Sequence, residues 1–143
     1  MIRHEPGGRE RTRRAAAAIR VSGPATDIDQ RVRRYLKAEA KRILTERARE
    51  KAARIGRTVT ALAVRDSKTR WGSCSAAGRL NFSWRLILAP EAVLDYVVAH
   101  EVAHLTEMNH GPRFWRLVAI LTPAVAEPRR WLAQNGTRLL RCG

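Results

Sequence analysis

The chain has 143 residues, a hydrophobic fraction of 45% and a net charge of +15, with 28 Lys and Arg residues against 13 Asp and Glu residues. This length suits a single globular domain, and no apolar run approaches the ~20 residues that span a bilayer. The two cysteines, Cys74 and Cys142, lie far apart, which argues against a cysteine-rich zinc knuckle and a disulfide framework. No apolar stretch follows the first basic residues, so we expect no secretory signal, no membrane partner and a cytoplasmic location.

The positive charge is concentrated in the first part of the chain. Residues 1–57 hold 17 Lys and Arg against 7 Asp and Glu, and the remaining residues hold 11 against 6. A positive electric field of this kind favours nucleic acid or acidic protein surfaces as partners. The equally weighted alternative is that the charge only reflects a solvated surface rich in arginine. We predict a basic tail over residues 1–26, ended by the Ser22-Gly23-Pro24 break, and a folded domain over residues 27–143.

A long helix is predicted to open that domain. Asp27 can cap its first turn, and Gln30 stands at the reciprocal position of a capping box. Apolar residues then recur at helical spacing as far as Ile55. Gly56 supplies the stop, because glycine enters the left-handed cap conformation without penalty.

Two strands are predicted next, separated by a loop. Residues 58–65 are β-branched and alternating, which is typical of a strand. Residues 66–78 are polar and contain glycine, so we predict a loop, and residues 79–88 form a second strand region.

The remaining elements are predicted helices. Pro90 opens one that is apolar nearly all round, which indicates a buried helix. Pro112 opens a second, and a last helix is predicted to end near Asn135-Gly136. The fold class is therefore α+β: a long N-terminal helix, a small sheet, then two or three helices.

The stretch His100-Glu101-Val102-Ala103-His104, an HExxH motif, lies on the buried helix. Residues four apart share one helix face, so the two imidazoles can bind one zinc ion. Glu101 is offset from that face, where it is a poor ligand but can reach a metal-bound water. Two ligands and a base are what a zinc hydrolase needs. A buried histidine and glutamate with only core roles would be the structural alternative, but this spacing disfavours it.

A third ligand must come from elsewhere, and His110 is the preferred candidate because a turn there can bring it back to the pair. Glu107 and Glu127 are the other options, and a helix-capping role for His110 is the alternative. The His-x3-His-x5-His spacing also occurs in metzincins, which carry a glycine midway between the second and third ligands. Glu107 stands at that position, so the metzincin interpretation is rejected.

Several motifs in one order give a family resemblance. They are Arg70-Trp71-Gly72-Ser73-Cys74-Ser75, Asn81, Trp84-Arg85-Leu86, Pro90, the run of residues 95–105, Asn109-His110, Phe114-Trp115, Pro123 and Trp131-Leu132. Over residues 30–136 the chain closely resembles the YgjP-like metallopeptidases, which are related to SprT-like proteins.

The resemblance implies a zincin-like fold, with His100, His104 and His110 as zinc ligands and Glu101 as the catalytic glutamate. Relatives usually carry a longer, strand-rich N-terminal region, so a shortened member is expected. Zincins also bind extended substrates along a strand edge, and the strand of residues 80–84 would be that edge.

The predicted function is a zinc-dependent hydrolase, a metallopeptidase that cleaves peptide bonds with a zinc-bound water activated by Glu101. Arg70 and Asn81 are candidates for stabilising the oxyanion. Cys74 is disfavoured as a fourth ligand, because a catalytic zinc keeps an open position. Three aromatic residues, Trp71, Phe114 and Trp115, are expected in the core.

Three alternatives stay open. The basic helix could lie along a phosphate backbone, which would make the chain a nucleic-acid-associated protease by analogy with SprT-like proteins. A non-enzymatic nucleic-acid-binding module with a structural zinc is the second, although Glu101 argues against it. Hydrolysis of an amide other than a peptide is the third.

Overall fold

The computed structural model describes residues 30–141, and they form the predicted α+β fold. The predicted tail and the cap Asp27 lie outside the described residues, so the domain boundary at residue 27 stays a prediction. In chain order the elements are α1 (Gln30–Arg54), β1 (Ala61–Arg65), β2 (Gly72–Cys74), β3 (Arg79–Ser83), a 3₁₀ helix (Trp84–Leu88), α2 (Glu91–Ala103), α3 (Pro112–Leu121) and α4 (Ala126–Leu140).

α1 is the long helix that the apolar spacing predicts. One face is buried every third or fourth residue, at Leu36, Ala40, Ile43, Leu44, Ala48 and Ala52. Gly56 follows the helix with a φ of 70°, a conformation that glycine enters without strain. The predicted stop at Gly56 is confirmed.

β2 corrects the prediction of a continuous loop over residues 66–78. A three-residue strand is too short to show an alternating pattern, and it forms because it pairs antiparallel with β3, where Ser73 lies opposite Asn81. Gly78 makes the turn between the two strands with a φ of 87°. Non-local pairing, rather than local propensity, therefore creates β2.

β3 lies in the centre of the sheet, between β1, which is parallel to it, and β2. The expectation that residues 80–84 offer a free edge is therefore wrong, because both sides of β3 are already paired. Within residues 30–141 the edge strands are β1 and β2, and β2 contacts α2.

The predicted second strand region, residues 79–88, is a strand only as far as Ser83. The Ser83 hydroxyl accepts a hydrogen bond from the N–H of Arg85 at 3.2 Å and caps the 3₁₀ helix that follows. Trp84 and Arg85 are both fully buried there. An apolar run of this length fits a buried strand and a buried helix equally well, and the serine cap decides for the helix.

The three later helices follow the prediction with two shifts. Pro90 is the N-cap of α2 rather than its first helical residue, and Pro112 is in the first turn of α3 as predicted. α4 continues past Gly136 to Leu140. A Cβ at Gly136 would lie 3.0 Å from Nε1 of Trp71, so this glycine allows close packing and does not end the helix.

One hydrophobic core joins the sheet to the helices. Leu80 and Phe82 of β3 point into it and pack with buried side chains of α1 and α2. Because α2 is buried nearly all round, the polar residues of its last turn are held in fixed surroundings. No helix within residues 30–141 is long and apolar enough to cross a membrane.

Candidate metal centre

Three histidine side chains meet where α2 ends and α3 begins. His100 lies in the last turn of α2, His104 is the C-cap of that helix, and His110 lies in the connection to α3. One ring nitrogen from each can be chosen so that all three lie within 4.8 Å of one another. Within residues 30–141 this is the one group of three His, Cys, Asp or Glu side chains so arranged.

The ring of His104 is oriented by the backbone. Its Nδ1 lies 3.0 Å from the carbonyl oxygen of Glu107, and because a carbonyl only accepts, Nδ1 carries the proton. Nε2 then presents a lone pair, as a metal ligand must. It lies 3.1 Å from Nε2 of His110, close to the separation of about 3.4 Å between two nitrogens bound at about 2.05 Å to one tetrahedral zinc. The imidazoles therefore fit a zinc ion.

Phe114, the third residue of α3, packs against all three imidazoles. Its ring is stacked on His104 with centroids 4.5 Å apart and meets His100 and His110 edge-on at 5.0 Å and 4.8 Å. The side chain is completely buried. Contacts of this kind fix ring orientations, so the packing of α3 on α2 sets the shape of the histidine group.

His110 is the exposed member of the group, while His100 and His104 are half-buried. Desolvation by the neighbouring residues lowers the pKa of His110 although its side chain is exposed. The charges of His104 and His100 lower the pKa further, and Glu101 has the opposite effect. A lowered pKa favours the neutral imidazole, which is the form that binds a metal.

Glu101 is 7% exposed and lines a cavity of about 290 Å³ together with His100, Tyr96 and Trp71. We call this the Glu101 cavity. One carboxylate oxygen lies 3.3 Å from Nδ1 of His100, and within residues 30–141 no Lys or Arg side chain is at ion-pair distance from it. Gly72 of β2 packs closely against the same side chain, since a Cβ at this position would lie 3.0 Å from Cγ of Glu101.

Comparison with known families gives a match to the model described as YgjP-like, metallopeptidase domain, over residues 2–135. This chain belongs to the YgjP-like family. Comparisons with curated proteins and with solved structures give no significant match. The matched span starts before the resemblance seen over residues 30–136, and it includes most of the segment predicted as a tail.

Sequence reasoning placed two oxyanion candidates in this YgjP-like domain, and the structure separates them. Arg70 lines the Glu101 cavity. Asn81 lies on the outer face of the sheet, where its Oδ1 accepts a hydrogen bond from Nε of Arg65 at 3.0 Å. Asn81 is thus absent from the lining of the Glu101 cavity, and Arg70 is the candidate that the fold keeps near the site.

The alternative ligands lie apart from the histidine group. Glu107 contributes its backbone carbonyl to His104, and neither its carboxylate nor that of Glu127 belongs to the group. Cys74 is also outside it; burial and the charge of Glu101 raise the pKa of the Cys74 thiol to about 11.

Sequence reasoning missed Tyr96, which lines the Glu101 cavity. It precedes His100 by one helical turn, and the two ring centroids are 5.8 Å apart. Burial raises the pKa of Tyr96, against an opposing effect of Arg129, so the phenol keeps its proton. Its place four residues before His100 was a signal for this position, although the apolar context of the helix masked it.

The three aromatic residues expected in the core have different surroundings. Phe114 is fully buried, whereas Trp115 is half-buried beneath the guanidinium of Arg129, 4.6 Å from the ring centroid. Trp71 is half-buried and forms part of the wall of the Glu101 cavity. Trp71 therefore stands at the site as well as against the core.

Proposed function

We propose that this chain is a zinc-dependent peptidase in which His100, His104 and His110 hold the metal and Glu101 is the general base. One observation carries the proposal: three converging imidazoles stand beside the buried carboxylate of Glu101, and no Lys or Arg side chain of residues 30–141 lies at ion-pair distance from it. Burying an unpaired carboxylate is costly, and a divalent cation at the histidines would offset that cost.

Zinc bound there would supply Lewis acidity, which makes water more acidic and polarises the carbonyl of a peptide bond. Glu101 accepts the proton of the attacking water while the water oxygen bonds to the carbonyl carbon. The carboxyl group then returns that proton to the amide nitrogen, so that the C–N bond breaks and the amine leaves neutral. Because the carboxylate of Glu101 lines the cavity, it can take part in both proton transfers.

Tyr96 is proposed to stabilise the oxygen of the carbonyl as negative charge develops on it. A phenol that keeps its proton is a hydrogen-bond donor, and a donor held in place beside the reacting carbonyl stabilises such charge. Arg70, on the same cavity, is the second candidate for this role. Tyr96→Phe distinguishes them, since it removes the hydroxyl and leaves the packing.

The test of the proposal is Glu101→Gln, with Glu107→Gln as the matched control. Glu101→Gln should bind zinc as the parent does but lose peptide hydrolysis by about 100-fold or more, because general-base catalysis is removed. Glu107→Gln keeps the backbone carbonyl that orients His104 and should retain both properties. Zinc content by elemental analysis and cleavage of a fluorogenic peptide library measure the two. Unchanged turnover in Glu101→Gln contradicts the mechanism.

A nucleic-acid-associated peptidase is the second candidate, and it rests on α1. The exposed side chains of Arg34, Lys41 and Arg49 lie on that helix, and among the described residues no carboxylate is at ion-pair distance from them. Phosphate contacts release counterions, so binding to DNA should weaken steeply as salt rises. Absence of binding at low salt removes this candidate and leaves the peptidase proposal intact.

A structural zinc in a non-enzymatic module is disfavoured by the same residue that supports catalysis. A closed structural site has four protein ligands, whereas here His100, one of the three imidazoles, lines an open cavity together with the carboxylate of Glu101. We expect a bound zinc to have one coordination position that a small inhibitor can occupy, and inhibitor binding would detect it. A site closed by a fourth protein ligand would favour the structural role.

A further inference from the structure

A second cavity adjoins the Glu101 cavity. It measures about 200 Å³, and Arg70, Trp71 and Gly72 line both cavities. We call it the Arg65 pocket, and its polar lining comprises Arg65, Ser67, Arg70, Ser73, Asn81 and Ser83. A chain lying across the Arg70–Gly72 wall would reach both.

The Arg65 pocket is positively charged. None of its lining residues is acidic, and within residues 30–141 no carboxylate lies at ion-pair distance from Arg65 or Arg70. The adjacent Asp66 is occupied elsewhere, since its Oδ1 lies 2.5 Å from Nη1 of Arg85. Two arginines on one pocket lining, with no carboxylate partner among the described residues, favour an anion as the ligand.

Hydrogen bonds within the Arg65 pocket hold Arg65 and Ser67 in place and leave some of their donor groups available to a ligand. Oδ1 of Asn81 accepts from Nε of Arg65, which fixes the guanidinium and leaves its two Nη groups. The Ser67 hydroxyl oxygen accepts from the backbone N–H groups of Thr69 and Arg70 at 3.2 Å and 3.1 Å, so its hydrogen is available to a further acceptor. A carboxylate accepts two parallel bonds from such a guanidinium.

The edge strand β2 connects this pocket to the proposed chemistry. An extended peptide that pairs with β2 would place alternate side chains on opposite faces of the sheet. Leu80 and Phe82 mark the inner face, and Ser73 and Asn81 mark the outer face, where the Arg65 pocket lies. Every second side chain of that peptide would therefore point to the side of the two arginines.

We propose that the Arg65 pocket is a specificity subsite that takes an Asp or Glu side chain of a polypeptide substrate. The proposal rests on the peptidase function above and adds the substrate class: acidic segments of polypeptide.

The test uses the full chain carrying Glu101→Gln, so that peptides bind without being cut. Three labelled peptides differ in one central residue, which is Glu, Gln or Lys, and fluorescence anisotropy at about 0.15 M salt gives their affinities. The Glu peptide should bind about fivefold more tightly than the Gln peptide, and the Lys peptide should bind most weakly. Adding Arg65→Gln should remove most of the difference between the Glu and Gln peptides.

Arg79→Gln is the matched control. It removes the same charge from an exposed position of β3 at the other end of the sheet, outside the lining of the pocket. It should preserve the preference for the Glu peptide, because Arg79 does not line the pocket. Non-specific attraction to a basic protein would instead be weakened equally by the loss of either charge. In the catalytically intact chain, Arg65→Gln should raise KM for the Glu peptide and leave kcat unchanged.

The outcomes separate this proposal from the function on which it rests. Equal affinity for the Glu and Gln peptides overturns the acidic subsite, even in an active peptidase. Arg65-dependent binding of a single-stranded oligonucleotide with no preference among the peptides overturns it in favour of a phosphate site. A Glu preference that Arg65→Gln removes supports the subsite, and failure to cleave any peptide then overturns the peptidase function alone.

Discussion

The first turns of α2 carry Glu91 and Asp95, and its last turn carries Glu101, so carboxylates are placed towards both ends of one helix. Asp95 lies 3.0 Å from both Arg47 and Lys51 of α1, and Glu91 is paired with Arg47. At the other end the one ionisable neighbour that contacts Glu101 within residues 30–141 is the imidazole of His100.

The two ends of α2 differ in whether the described part of the fold compensates the charge of the carboxylate. A buried charge is tolerated when an opposite charge and hydrogen bonds compensate it. α1 supplies that compensation to the first turns of α2, and no side chain of the described residues supplies it to Glu101. The last turn of α2, where no Lys or Arg side chain of the described residues compensates Glu101, is also where the imidazole nitrogens converge.

Zinc binding at the histidine end of α2 should change the stability of the protein most. Added zinc should raise the thermal unfolding temperature of the parent by about 10 °C or more, since a ligand at a thousand times its Kd stabilises by about 4 kcal/mol. His104→Ala should abolish this increase. Asp95→Asn is the contrasting variant: it should unfold at a lower temperature and still respond to zinc. Calorimetry with and without zinc measures both, and an equal response in His104→Ala contradicts the assignment.

Removing a carboxylate from the first turns of α2 should have the second largest effect on stability. Asp95→Ala should destabilise the fold by about 3 kcal/mol or more, because Lys51 is only 4% exposed and would lose its partner. Its remaining bond, 2.6 Å to the carbonyl oxygen of Leu121, carries no negative charge. Glu50→Ala, an exposed member of α1, should cost less than about 0.5 kcal/mol. Urea denaturation compares the two, and similar losses would contradict a special role for the buried network.

A smaller effect tests how β2 positions Glu101. In Gly72→Ala the new methyl group would meet Cγ of Glu101 at 3.0 Å and Cδ1 of Phe82 at 3.1 Å, so the carboxylate must move. We expect kcat to fall about tenfold while zinc content stays unchanged, because base catalysis depends on position. At Gly111 a Cβ would meet nothing within 4 Å. Gly111→Ala should therefore change kcat little, and an equal fall in both variants contradicts the positioning role.

The smallest effect concerns a third paired carboxylate, Asp66. Burial alone would raise its pKa, but the hydrogen bond and charge of Arg85 and the hydrogen bond from Trp84 leave the pKa lowered. Its contribution to stability is therefore complete above the unfolded pKa of about 4 and is lost as pH falls through the lower folded value. Asp66→Asn should flatten the acid side of the stability curve below about pH 4, and an unchanged curve contradicts the pairing.

Prediction from sequence succeeded where the signal is local. The spacing of apolar residues gave α1 and its end at Gly56, and proline placed the start of α3. The spacing of His100 and His104 identified one helix face, and the structure brings His110 to it. Their role as ligands, and that of Glu101 as base, remain proposals that the geometry supports.

The features that prediction missed depend on contacts between distant parts of the chain. β2 exists through pairing with β3, and Gly136 is required by the indole of Trp71. Tyr96 lies in an apolar helix, and this context masked the signal that its place four residues before His100 offered. The order of the strands, which leaves β3 paired on both sides and β2 at an edge of the sheet within residues 30–141, is likewise set by pairing that no local pattern records.

The shortness of β2 has a consequence for solubility. Within residues 30–141 β2 is an edge strand, and an edge that can pair with a substrate can also pair with the same strand of a second molecule, which is how edge-to-edge aggregation starts. Gly72–Cys74 offers only three residues for such pairing, and Arg70 brings positive charge beside it in every copy. Self-association through this edge is therefore opposed by its length and by charge repulsion, while an acidic peptide would meet attraction.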